Sequence, residues 1–117
     1  MKRIKFKFAA LIFCFLTANS FAAEFFITGA GTLSCGKYIN FRNEKNQAMN
    51  SFVVSWQQGY LSAANVVNII KEKKWAPLPD AETIHLMNEK FCNANPLKDI
   101  SESSLNIYLS LTWQKAQ

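Results

Sequence analysis

The chain has 117 residues, half of them apolar, and carries 13 Lys and Arg residues against eight Asp and Glu residues. This length leaves room for one domain at most. Four of the basic residues lie in the first seven positions, and no acidic residue precedes Glu24. The remainder has nine basic and eight acidic residues, so the basic balance of the whole chain does not indicate a nucleic-acid partner.

Residues 1–22 have the three parts of a secretory signal peptide. A basic start, MKRIKFK, precedes the apolar stretch Phe8–Leu16, and the small residues Ser20 and Ala22 follow at the positions that suit cleavage. The apolar stretch is about half as long as the ~20 residues that a bilayer-spanning helix needs, which favours a cleaved signal over a retained anchor. We therefore expect a periplasmic protein with a single helical domain over residues 23–117 and no membrane contact after cleavage.

The exported chain keeps two cysteines, Cys35 and Cys92, because Cys14 leaves with the signal. An even number of cysteines in an exported protein predicts one disulfide. The absence of a CxxC motif and the presence of one histidine, His85, argue against a zinc site. A catalytic thiol is not indicated either, since no Cys–His pairing follows from one distant histidine. We expect a structural bridge, no metal and no cofactor.

The pattern of apolar and polar residues predicts an all-α fold of four helices. The first follows the Gly-rich turn Gly29–Gly31, with Thr32 as its predicted N-cap, and continues to Phe41. The second and strongest extends from Ala48 to Ile70, where apolar residues recur at steps of four and three. The stripe expected to face the core comprises Met49, Val53, Trp56, Tyr60, Ala63, Val67 and Ile70, widened by Phe52 and Val66.

The opposite side of the second helix is polar but carries no charge. In fact, 25 consecutive residues between Lys45 and Lys71 are uncharged. The interpretation that we favour is a central helix that neighbours cover on most sides. The other is a neutral surface for a protein partner, because charged residues are depleted in the centres of interfaces.

The third and fourth helices have clear start signals. Asp80 opens the third, and Pro96 stops it. Asp99 and Glu102 form a capping pair that favours a fourth helix from Ile100 towards Trp113. The strict alternation of apolar residues in the same segment is instead typical of a half-buried strand; we favour the helix.

Glu82, His85 and Glu89 are the one group on the third helix with the spacing of an acid–base site. They lie three and four residues apart and so share a helical face. A histidine between carboxylates can act as a general base or a weak metal ligand. A solvated helix face explains the same spacing more simply, and we expect no enzymatic activity.

Five residues of the second helix form a candidate helix crossing or partner-binding site: Trp56, Gly59, Tyr60, Ser62 and Asn65. The small residues Gly59, Ser62 and Ala63 lie on successive turns and permit the close approach of another helix. We favour this packing in the core over a groove for a partner. Trp56 and Tyr60 supply large apolar areas with polar tips beside that gap. Asn65 and Ser62 have side chains that can hydrogen-bond across a crossing or to the Gly-rich turn.

The strings GAGTLSCGKYI at Gly29–Ile39, WxxGYLSAxN at Trp56–Asn65 and FCxxNPL at Phe91–Leu97 resemble a group of small exported bacterial proteins. The chain is similar to the Rap/Tai-type immunity family, whose members protect a cell from type VI secretion amidase toxins. More loosely, it resembles the HdeA-type periplasmic acid-stress chaperones. The first resemblance implies a non-enzymatic binding protein of the cell envelope that occludes a toxin enzyme. The second implies an acid-activated chaperone.

Overall fold

The computed structural model describes residues 26–117, and the predicted signal peptide lies outside the described residues. The elements in chain order are a 3₁₀ turn (Gly29–Thr32), α1 (Cys35–Asn43), α2 (Gln47–Glu72), β1 (Lys74–Trp75), α3 (Ala81–Ala94), α4 (Ile100–Ser110) and β2 (Gln114–Lys115). The predicted all-α fold of four helices with one disulfide is confirmed. Among residues 26–117, no helix has the length and apolar character needed to cross a membrane.

A polar side chain caps the start of every helix. Asn46 accepts a hydrogen bond from the backbone N–H three residues on, and so do Asp80 and Asp99, which cap α3 and α4 as predicted. The prediction of Thr32 as the cap of α1 is wrong. The Thr32 hydroxyl instead donates to the Gly29 carbonyl at 3.0 Å and closes the 3₁₀ turn, while Ser34 caps α1.

The last segment is the predicted helix and not a strand. The Asp99 carboxylate accepts from the Glu102 N–H, and the Glu102 carboxylate accepts from the Asp99 N–H, which completes a capping box. The helix ends at Ser110. After it, β2 pairs antiparallel with β1, with Lys115 opposite Lys74.

α2 buries a different side from the predicted one. The residues that face the core are Asn50, Val53, Val54, Gln57 and Leu61. Of the predicted stripe, Ala63, Val67 and Ile70 are exposed. The buried side is rotated around the helix axis by about one residue, or ~100°, from the predicted apolar stripe. The prediction was wrong because two amides, Asn50 and Gln57, occupy core positions.

The core has two apolar clusters that meet along α2. The first surrounds the disulfide and contains Ala30, Cys35, Tyr38, Val53, Cys92 and Ile100. The second contains Val54, Leu61, Ile84 and Ile107 and holds α2 against α3 and α4. The Cys35–Cys92 bridge joins α1 to α3 across 57 positions of the chain, so it connects elements that are distant in sequence.

A fully buried polar network links α2, α3 and α4. The Gln57 and Asn88 amides bond reciprocally: Gln57 Nε2 donates to Asn88 Oδ1 at 2.9 Å, and Asn88 Nδ2 donates to Gln57 Oε1 at 2.6 Å. Ser103 from α4 donates to the same Asn88 oxygen at 2.7 Å. Gln57 Nε2 also reaches the Ser104 hydroxyl at 3.0 Å. Because an unpaired buried amide is costly, the network fixes how these helices face one another.

We expect Asn88→Ala to lower the free energy of unfolding by about 2–4 kcal/mol, because it leaves the Gln57 Oε1 oxygen and the Ser103 hydroxyl buried without their partner. Asn93→Ala, on the exposed side of the same helix, is the matched control and is expected to change it by less than about 0.5 kcal/mol. Urea unfolding followed by circular dichroism measures both. Equal losses in the two variants would contradict the role of the network.

Reduction of the Cys35–Cys92 bridge is expected to lower the free energy of unfolding by about 4 kcal/mol, because it releases a long loop in the unfolded chain. Thermal unfolding with and without a phosphine reductant measures the change. The double variant Cys35→Ser/Cys92→Ser serves as the control, since the reductant has no bridge to act on there. Intact-mass detection of two free thiols at Cys35 and Cys92 in protein purified from cells without reductant would show that the bridge does not form in the cell.

Candidate functional site

The side of α2 opposite the core is exposed and uncharged. We call Phe52, Ser55, Gly59, Ser62 and Ala63 the α2 face; all five are exposed. They follow one another at helical spacing, and the stretch between Lys45 and Lys71 that contains them has no charged residue. The interpretation of α2 as a helix covered on most sides is therefore wrong for this side. The neutral surface is present and open to solvent.

Trp56 and Tyr60 lie at the edge of the α2 face and form an aromatic pair. Their rings stack with centroids 5.7 Å apart and an interplanar angle of 20°. The Trp56 indole also packs on the 3₁₀ turn, where a Cβ on Gly31 would overlap its six-membered ring. Gly29 has φ +70°, and a Cβ there would lie 3.3 Å from Trp56 Cδ1. These glycines allow the turn to cover one face of the indole.

Gly59 is not the site of a helix crossing. An added Cβ there would meet no atom within 4 Å, and Ser62 on the next turn is exposed. The predicted close approach occurs instead at Gly29 and Gly31, against Trp56. The helix-crossing interpretation is thus wrong for Gly59 and Ser62, and a role in binding a partner stays a prediction.

Asn65 holds the segment that follows β1. Its Nδ2 donates to the Ala76 carbonyl at 3.0 Å, and its Oδ1 accepts from the Ala76 N–H at 2.9 Å. This pair of bonds satisfies the backbone of the buried Ala76 and ties the connection to α3 back onto α2. Asn65 is therefore a structural residue, and its side chain bonds neither to a crossing helix nor to the Gly-rich turn.

An apolar groove lies beside Tyr60, at the edge of the α2 face. Its volume is about 380 Å³, and it is lined by Phe26, Ile27, Tyr60, Ser101, Glu102 and Leu105. Phe26 is 85% exposed and Leu105 46% exposed. The one charged side chain, Glu102, is engaged in the capping box and in a salt bridge to Lys98 at 3.2 Å. The groove therefore presents mainly apolar and aromatic surface.

The acid–base candidates on α3 do not form a site. His85 is buried, and its Nδ1 lies 2.9 Å from the Tyr38 hydroxyl. Glu89 accepts a hydrogen bond from Arg42 Nε at 2.6 Å, whereas Glu82 is exposed. The prediction of a solvated helix face thus fails for His85, which belongs to the α1–α3 contact. Among residues 26–117 no group of three His, Cys, Asp or Glu side chains has the geometry to hold a metal ion.

Burial sets the protonation of the α1–α3 contact. Desolvation lowers the pKa of His85, and the nearby Arg42 guanidinium lowers it further. Desolvation also raises the pKa of the Tyr38 hydroxyl to about 12. Both side chains are therefore neutral at pH 7, and the Tyr38 hydroxyl can donate to the unprotonated Nδ1 of His85.

We expect the stability of the protein to fall as the pH drops below about 6.5, because the unfolded chain takes up a proton on His85 before the folded protein does. His85 is the one histidine of the chain, so His85→Gln removes this titration cleanly. Urea unfolding between about pH 7 and pH 5, where Asp and Glu side chains remain mostly charged, is expected to show a smaller pH slope in the variant. The same pH slope in both proteins would show that protonation of His85 does not cause the pH dependence of stability.

Comparison of the chain with protein-family models, with curated proteins and with solved structures gives no match. The resemblance to Rap/Tai-type immunity proteins therefore rests on the three sequence strings alone.

Proposed function

We propose that the chain is a small exported, non-enzymatic binding protein of the bacterial cell envelope, and that the α2 face and the adjoining groove bind a protein partner. The observation that carries this proposal is the exposure of an uncharged helical surface beside an apolar groove. Water-facing helices usually carry charges, and surfaces of this kind are typical of the centres of protein interfaces.

The composition of this surface suits a protein better than a small molecule. The apolar groove, with Phe26 and Leu105 in its lining, lies beside Tyr60, and a further large apolar side chain, Phe52, is exposed elsewhere on the α2 face. Small side chains at Ser55 and Gly59 leave room beside these larger residues. A partner side chain inserted there would be surrounded by apolar contacts, as the anchor residues of interfaces are.

The scaffold beneath the surface is suited to binding without rearrangement. Gln57 and Leu61, on the inner side of the same turns, are fully buried, and Gln57 is held by the polar network. A rigid surface loses little conformational entropy on association, which favours tight binding. The proposed partner is a toxin enzyme whose active site this surface covers, in keeping with the resemblance to the Rap/Tai-type family.

An acid-activated chaperone is the alternative function. A chaperone of that kind must expose apolar surface as the pH falls. In this structure the α2 face and the groove are exposed without any such change, and the Cys35–Cys92 bridge ties α1 to α3 at every pH. The buried His85 gives the fold some sensitivity to acid, but the groups around it do not cover the α2 face. We therefore place the binding protein first.

We expect a photo-reactive amino acid at Ser62, on the α2 face, to cross-link to one specific envelope protein in living cells. The same amino acid at Asn93, exposed on α3, is the matched control and is expected to give no product of that size. Mass spectrometry then identifies the partner. The expected identity is a secreted hydrolase whose activity falls when the purified chain is added.

A second variant distinguishes loss of the binding surface from loss of the fold. Ser62→Arg places a charge on the α2 face and is expected to abolish inhibition of the identified hydrolase, because a buried unpaired charge is costly at an interface. It is expected to leave the melting temperature unchanged, since Ser62 is exposed. Cross-links that form equally from Ser62 and Asn93, or inhibition that survives Ser62→Arg, would overturn the proposed surface.

A further inference from the structure

The last two turns of α2 expose a concentration of large aliphatic side chains. Val66, Val67, Ile69 and Ile70 are 56%, 47%, 41% and 67% exposed, respectively. They lie beyond the α2 face and beyond the groove at Tyr60. Trp75, in β1 just after the helix, is 37% exposed. We call these five residues the apolar tip.

Four lysines lie at the same end of α2 as the apolar tip. Lys71 lies in the last turn of α2, Lys73 caps the helix, and Lys74 and Lys115 lie opposite each other on the β1–β2 pair. The hydrogen bond from Ala116 N–H to the Lys73 carbonyl, 2.8 Å long, holds β2 against this end of the helix. All four lysines are exposed, and over residues 26–117 none of them forms a salt bridge.

The net positive charge of residues 26–117 is therefore concentrated at the C-terminal end of α2. The four lysines are accompanied by one acidic residue, Glu72. The rest of the chain over residues 26–117 has five basic and six acidic residues. There Arg42 is paired with Glu89 and Lys98 with Glu102, whereas Lys37, Lys45 and Lys90 form no salt bridge. The pairing of Lys74 with Lys115 places like charges on directly opposed positions of two strands, an arrangement that is unfavourable unless a counter-charge is near. Lys73 adopts the left-handed conformation, with φ 52°, where glycine or asparagine is usual.

We propose that the apolar tip and its four lysines dock on the surface of a bilayer that contains anionic phospholipids. Anionic headgroups supply the counter-charge that the lysines lack in the protein, and the acyl boundary receives Val66, Ile70 and their neighbours. Trp75 follows Lys74 directly in β1 and is partly exposed, and tryptophan is a residue that membrane–water interfaces favour. A soluble polyanion would satisfy the lysines but leave the aliphatic side chains in water.

This contact is peripheral, so it is compatible with the finding that no helix over residues 26–117 can span a membrane. It departs from the expectation of no membrane contact after signal cleavage. The apolar tip adjoins the α2 face, since Ala63 and Val66 are three residues apart on one helix, ~4.5 Å along its axis. The proposal does not depend on the proposed function, because its test measures binding to vesicles and needs no protein partner.

Co-sedimentation with vesicles tests the proposal with the purified, disulfide-bonded protein. We expect binding to vesicles of phosphatidylethanolamine with phosphatidylglycerol, weakening at high salt, and little binding to vesicles of phosphatidylcholine alone. The variant Lys71→Ser/Lys74→Ser/Lys115→Ser is expected to bind about a hundredfold more weakly. The control Lys37→Ser/Lys45→Ser/Lys90→Ser removes the same charge from exposed positions elsewhere and is expected to bind nearly as the parent does.

A second pair of variants tests the aliphatic part. Val66→Ser/Ile70→Ser is expected to reduce binding at least tenfold, whereas Leu86→Ser/Leu109→Ser, at residues 57% and 69% exposed, is expected to leave it unchanged. Three results would each overturn the proposal: no binding to the anionic vesicles, equal weakening in both lysine variants, or equal binding to phosphatidylcholine. Binding that weakens in the lysine variant but not in Val66→Ser/Ile70→Ser would contradict docking on a membrane. It would indicate a purely electrostatic site for a polyanion instead.

Discussion

The reciprocal hydrogen bonds between Gln57 and Asn88 decide which way α2 faces. Both amides are fully buried, and each supplies the donor and acceptor that the other needs. Any rotation of α2 that brought the exposed apolar residues inward would leave these amides without hydrogen-bond partners. The loss would destabilise the fold by several kcal/mol. The exposure of Phe52 and Gly59 on the opposite side is thus a direct consequence of the polar core. The candidate binding surface and the fold share one determinant.

Three different interactions hold α1 against α3. The Cys35–Cys92 bridge is covalent, the Tyr38–His85 contact is a buried hydrogen bond, and Arg42 with Glu89 forms a partly buried ion pair. A domain of this size buries a modest core, so a covalent link between its helices compensates for limited apolar burial. It also means that α1 and α3 stay joined when acid protonates His85 and weakens its contact with Tyr38.

The sequence predicted the features that depend on neighbours along the chain. The four helices, the caps at Asp80 and Asp99 and the single disulfide follow from local spacing or from cysteine chemistry. The inward side of α2 could not be predicted from hydrophobicity, because the amide of Gln57 is buried while the aliphatic side chain of Ile70 is exposed. Within the candidate site, the sequence did select the aromatic pair beside the groove. It did not reveal that Asn65 bonds to Ala76, since that contact depends on the path of the segment after β1.

The exposed apolar residues of α2 make little contribution to the stability of the isolated domain. Burying Val66 or Ile70 would be favourable by about 1–2 kcal/mol each. The core positions of α2 are nevertheless occupied in part by the polar residues Asn50 and Gln57. This exchange has a physical explanation if the apolar side chains are buried by something outside the chain. A protein on the α2 face and a bilayer at the apolar tip would together cover the outward side of one rigid helix. Because that helix is held by the Gln57–Asn88 pair, docking at its end also fixes how the α2 face is presented to a partner.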